Sequence, residues 1–196
     1  MIAKRLKEIR KKILVHTDMS PTASFQDRII RAAMLDVNLY EEVEADKEAL
    51  GQAMSVVILS SIAAGIGSFQ IGGAGGILMG TIAALIGWYI WAYLTYFIGT
   101  RFLPEPQTQA DIGELLRTIG FSSSPGLIRI LGILPGIGPL FFLAASVWML
   151  AAMIIAVRQA LDYQSTLRAI GVCAIGWVIQ AFIFILFFSL FGSPQS

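Results

Sequence analysis

The sequence is short of charge, of cysteine and of histidine, and each shortage closes off a class of protein. Only 14% of its 196 residues are Asp, Glu, Lys or Arg, against 56% hydrophobic. A surface facing water needs about a quarter of its residues charged, so an ordinary soluble domain is excluded, and so is a disordered chain. The single cysteine, Cys173, has no partner for a bridge within the chain, and with the lone His16 it cannot complete a zinc site. It reads as a small core residue. A net charge of +1 offers no general pull toward nucleic acid. No cofactor and no metal are expected.

The charges that exist are segregated. Between Glu48 and Arg101 lie 52 residues without one, and the stretches Ile130–Val157 and Ala169–Ser196 hold 28 each without one. A helix crosses the hydrocarbon core with about 20 apolar residues, and only helices or closed barrels satisfy the backbone there. The first run is long enough for two crossings, turning at Ser68–Gly73; the later runs give one each. The stretch Leu115–Leu134 is a fifth, weaker candidate that carries Arg117, Ser122–Ser124, Pro125 and Arg129. The competing reading of that stretch is a re-entrant or interfacial segment. Five crossings put residues 1–48, 100–117 and 158–168 on one side, with 13 of the 14 Lys/Arg, every Asp/Glu and His16. That bias marks the cytoplasmic side. The expectation is an all-α, polytopic membrane protein with spans near 49–67, 74–99, 115–134, 140–157 and 169–191. Its N-terminus is cytoplasmic and its C-terminus outside. Residues 1–48 form a charged cytoplasmic segment and 49–196 the transmembrane domain, the first crossing doubling as the targeting signal.

Within the front segment, Ile2, Leu6, Ile9 and Ile13 make one helical stripe. Lys4, Arg5, Lys7, Arg10, Lys11 and Lys12 surround it, a composition suited to an anionic leaflet or to holding the N-terminus inside. A linker over 17–24 leads to a second helix carrying Phe25, Ile29, Ile30, Ala33, Met34 and Val37, with Ser24 placed as its N-cap. An acidic cluster follows: Asp36, Glu41, Glu42, Glu44, Asp46 and Glu48. It reads as a solvated juxtamembrane helix, or as a partner for the basic start.

Inside the apolar runs, Gly72, Gly76 and Gly80 recur every four residues, a pattern that lets helices approach closely, within one chain or between copies. Trp88, Tyr89, Trp91, Tyr93, Tyr96 and Phe97 suggest an aromatic belt at the headgroup level. Pro125 removes a backbone donor and disfavours helix at Ser124, so the third span is expected to kink or break. Arg129 follows one turn later. Ser124, Pro125 and Arg129 together suggest an anion or lipid site; the simpler reading is a kinked helix with Arg129 reaching the outer interface. No nucleophile–base set and no paired intramembrane acids occur, so a non-catalytic protein is expected.

The segments D-x-N-L-Y-E-E-V-E-A-D before the first span, G-E-L-L-R-T-I-G-F-S-S-S-P, L-P-G-I-G and V-R-Q-A-L-D-Y-Q-S-T-x-R-A-I stand in a distinctive order. In this the chain resembles bacterial members of the Ypt-interacting protein (Yip) family of five-span membrane proteins, over about residues 28–191. Eukaryotic members associate with Rab GTPases and with one another, with a cytosolic N-terminal half and a lumenal C-terminus. Their Asp-Leu-Tyr-Gly-Pro motif finds Leu39 and Tyr40 here, with Glu41 and Glu42 in place of Gly-Pro, and these four become candidate partner-binding residues. The resemblance implies a membrane-organising adaptor or scaffold in a bacterial plasma membrane, in contact with the lipid bilayer and as a homo-oligomer or with other membrane subunits. The alternatives are a small-solute or lipid transport or binding protein using the broken third span, and an accessory subunit of a larger complex.

Overall fold

The computed structural model describes residues 23–191 along the backbone, with side chains through residue 182 and at Ile185. Helices joined by short turns make up this region, and no strand occurs among the described residues. Helix α1 is Phe25–Ala33, α2 is Val37–Ala45, α3 is Ala49–Gly67 and α4 is Phe69–Arg101. Helix α5, Ile112–Phe121, leads into a 3-10 helix, Ser124–Ile133, and α6 (Gly138–Ala160) and α7 (Thr166–Phe191) complete the order.

Three helices, α3, α4 and α6, are long and apolar enough to cross a membrane, with mean hydropathies of 1.8, 1.7 and 2.5; α7 adds a shorter apolar stretch, Thr166–Phe182. They are apolar all round, and much of that surface faces outward: Leu78, Met79 and Ile86 on α4 and Leu140, Leu143 and Val147 on α6 are exposed. In water such surface would be unstable; in lipid it costs nothing. The turn expected at 68–73 is present in a particular form. Gly73, at φ 56° and ψ −161°, interrupts α4 in a conformation essentially reserved for glycine, and regular helix resumes beyond it.

The third apolar stretch is broken. Helix α5 ends at Phe121, and a 3-10 helix with Pro125 in its first turn takes over. The ring has no N–H for the helical ladder. The serine hydroxyls meet carbonyls at the junction: Ser122 Oγ donates to Ile119 O and Ser124 Oγ to Phe121 O, both at 2.7 Å. The broken segment nevertheless runs beside α3 along nearly its whole length. Gly120 lies against Ala53, Gly126 against Ser60 and Gly132 against the Gly67 carbonyl. A spacing of six is two turns of 3-10 helix, so the last two of these glycines share one face.

The front segment is not a separate cytoplasmic unit in its described part. Helices α1 and α2 form a hairpin laid along the flank of the bundle, and Leu39, Tyr40 and Val43 share one core with Ala53 and Val56 of α3, Phe121 of α5 and Ala156 of α6. The second helix expected over Phe25–Val37 stops at Ala33, because Leu35 takes a positive φ of 62° and turns the chain. Ser24 caps α1, accepting from Asp27 N, and Asp36 caps α2, accepting from Asn38 N. The far ends of both helices are met by the bundle. Trp148 Nε1 donates to Ala33 O at 2.7 Å, and Arg117 Nε to Val43 O at 2.9 Å. Trp148 lies near the middle of α6, so the hairpin tip reaches the middle of the bundle's height.

Candidate functional site

Two regions combine polar chemistry with a defined shape. The first is the charged end of the bundle. Arg28 is buried, and its guanidinium is shared among Glu42 (2.9 Å), Asp46 (2.8 Å) and Gln52 (2.9 Å). Arg31 pairs with Asp36 at 2.8 Å and with the other oxygen of Glu42 at 2.7 Å. Glu42 thus bridges both arginines. Burial alone would raise the Asp36 carboxyl, but hydrogen bonds from Arg31 and Asn38 outweigh it and hold Asp36 below its ordinary range. Across this end, Glu105 accepts from the backbone of Gln164 (3.0 Å) and Ser165 (3.3 Å) and pairs with Arg168 at 3.4 Å. The Gln164 bond is the largest influence keeping the Glu105 carboxyl below its usual range. Tyr163 OH reaches both Gly99 O (2.9 Å) and Leu103 O (2.7 Å), and burial pushes it up to about 12. The loops of this end are therefore stitched into a fixed polar cap.

The second region is a cavity of about 520 Å³ among α3, α4, the 3-10 helix, α6 and α7, open rather than enclosed. Gly76 and Gly80 of α4, Ser61 and Ser68 from α3 and its end, and Ser122, Ser123 and Arg129 all line it. Towards the charged end its lining becomes Trp88, Trp91 and Met153. The two indoles spend their N–H groups on the protein, Trp88 on Leu116 O at 3.0 Å and Trp91 on Met153 Sδ at 3.1 Å. The expected aromatic belt is thus divided: these two turn inward, while Tyr89, Tyr93 and Phe97 are exposed.

The candidate residues from the sequence fall out as follows. Arg129 faces the cavity; Ser124 and Pro125 do not line it, being buried at the helix junction, and Ser122 and Ser123 stand in their place. Leu39 and Tyr40, expected at a partner surface, are fully buried, because α2 turns its apolar side onto α5 and α6. Glu42 is engaged by Arg28 and Arg31, and Glu41 is half-buried. The acidic cluster finds arginines of its own hairpin. Gly72, Gly76 and Gly80 pack against nothing within 4 Å, so close approach within the chain falls instead to Gly120, Gly126 and Gly132. Lys4, Arg5, Lys7, Arg10, Lys11 and Lys12 lie outside the described residues. Sequence reasoning missed Arg28, Arg117 and Glu105 as structural anchors; the one available signal was Arg117, a cation in a mostly apolar stretch.

A bundle of long, outward-apolar helices with its charges collected at one end is that of an integral membrane protein. Within that class, the Yip1 domain family model matches residues 39–188, and the chain belongs to the Yip family. No curated protein and no solved structure matches it.

Proposed function

We propose that the chain is a non-catalytic organiser or adaptor of the membrane, threaded five times, with the polar cap in the cytoplasm and the C-terminus outside. The observation that carries this reading is the cap itself. Four separate parts of the chain, the α1–α2 hairpin, the middle of α5 and the loops around Glu105 and Tyr163, are fastened by ion pairs and hydrogen bonds to backbone carbonyls and amides. Holding so many charged groups in fixed geometry costs side-chain entropy, and a presented docking surface uses that order. The five-span reading is supported by the broken third segment, which follows α3 from one end to the other. The segregation of charge supports a bacterial plasma membrane orientation with the cap inside. Partners are a second copy or other membrane subunits. Extraction in mild detergent followed by native mass spectrometry tests the role. A complex of fixed stoichiometry, lost when the cap is altered by Glu105→Arg, is expected; a chain that remains a single copy at its native level refutes it.

A further inference from the structure

Arg129 is the charge that the polar cap does not absorb. Its Nε is buried without a hydrogen-bond partner, and its one hydrogen bond is a long one, Nη2 to Ser146 Oγ at 3.4 Å. Ser146 gives its own proton to Phe142 O at 2.7 Å, so it meets Arg129 only through lone pairs. The guanidinium carbon sits 6.0 Å from the centre of the Phe142 ring. No carboxylate pairs with Arg129 among the described residues; the ion pairs seen there join Arg28 and Arg31 to acids of the α1–α2 hairpin and its end, and Arg168 to Glu105. Most of the five donors of Arg129 are unspent here. An anion is the missing component.

The cavity beside it specifies what carries that anion. The Arg129 backbone lies against Gly67, at the uncharged end of α3, which is headgroup level rather than mid-bilayer. From Gly76 to Trp91 the cavity follows α4 for about 22 Å at 1.5 Å per residue. Ser68 and Arg129 stand at one end of it, Ser122, Ser123 and Gln180 lie farther along, and Trp88, Trp91 and Met153 line the far end. On α4 the wall between is small, made by Gly76, Gly80, Ala84 and Gly87. A long, open, amphiphilic groove with a cation at its head matches a molecule with an anionic head and an apolar tail. The guanidinium fork suits a phosphate, two of whose oxygens it can hold at once.

We propose that this groove binds one anionic phospholipid of the surrounding bilayer, its phosphate on Arg129 and an acyl chain along Gly76 and Gly80 toward Trp88 and Trp91. The glycines are then a lipid-facing wall, which explains why nothing among the described residues packs on them.

The test uses the full-length protein in mild detergent, given phosphatidylglycerol, phosphatidylcholine or inorganic phosphate. Native mass spectrometry counts retained lipid, and thermal unfolding reads stabilisation. Wild type is expected to retain phosphatidylglycerol over phosphatidylcholine by roughly tenfold, because the two share the phosphate but the choline ammonium cancels its charge and repels the guanidinium. Arg129→Gln should abolish that preference, and Arg129→Lys, a point charge without the fork, should keep only part of it. Gly80→Phe should lower retention of both lipids and still fold, since nothing lies within 4 Å of a Cβ there. Gly80→Phe also carries the test if Arg129→Gln does not fold. Equal retention of both lipids by wild type, an unchanged preference in Arg129→Gln, or full retention in Gly80→Phe overturns the proposal. Inorganic phosphate that stabilises as well as phosphatidylglycerol overturns the lipid as the source of the anion. None of these outcomes touches the adaptor role, which is read from protein stoichiometry.

Discussion

At the residue scale, the buried polar side chains of this protein serve as terminators for other elements. Arg117 is the clearest case: buried within α5, it donates to Val43 O and to Glu44 O, the orphan carbonyls at the end of α2. Arg117→Ala is expected to lose about 2–3 kcal/mol, because two carbonyls and their charged donor part at once; a thermal melt in detergent measures it. The glycines divide into two kinds that sequence alone does not separate. A methyl group at Gly126 would collide with Ser60 and with Met149 Sδ, so Gly126→Ala should cost about 1–3 kcal/mol. Gly76→Ala meets nothing and should gain up to about 1 kcal/mol from helix propensity. The pH dependence follows from which charge state folding favours. Asp36 and Glu105 have carboxyls depressed by their partners, so their contribution is complete above the ordinary carboxylate range and fades as pH falls through the lower folded values. Tyr163 works in the opposite sense. The unfolded phenol ionises near pH 10 and the folded one near 12, so stability declines across that interval as pH rises. Melting temperature against pH should therefore fall at both extremes, and Glu105→Gln should soften the acid limb.

At the element scale, the two segments with mixed character are the ones that behaved least like simple helices. In the stretch Leu115–Leu134 the break was legible, because Pro125 announced it. That the chain continues as 3-10 helix was not legible, since the choice rests on contacts with α3. The tighter winding aligns Gly126 and Gly132 against it, and no local propensity encodes a neighbour's position. The α1–α2 hairpin was legible as amphipathic but not as docked. Its charges pointed to water, yet Arg28 and Arg31 pair with Glu42, Asp36 and Asp46, and the largely self-paired unit can lie against apolar helices. Ile30, Met34 and Val37 are left facing outward beside the exposed surface of α6. A spin label at Met34→Cys, in a Cys173→Ala background and reconstituted in bilayers, should therefore be relaxed by dissolved oxygen and shielded from a water-soluble nickel chelate. A label reporting full water access would place the hairpin clear of the lipid.

At the scale of the whole molecule, the distribution of charge and the packing of helices tell one story. The described ion pairs lie in the α1–α2 hairpin and at the end that carries Glu105 and Arg168, and the opposite end presents Phe69, Ile71 and Ile137. With that cap inside, a membrane-impermeant maleimide applied to intact cells should label Ile71→Cys and spare Lys47→Cys, each made in the Cys173→Ala background; the reverse pattern would invert the proposed topology. The order of helices, the polarity gradient along them and the family were readable from linear sequence. Hydropathy and charge act on each segment against its solvent, and a solvent can be inferred without knowing the neighbours. Which glycines touch, whether Leu39 and Tyr40 are surface or core, and which arginine lacks a counter-ion depend on pairs of residues far apart in the chain. Those pairings exist only once the helices have packed, and it was packing that placed Arg117 among carbonyls and left Arg129 facing an open groove.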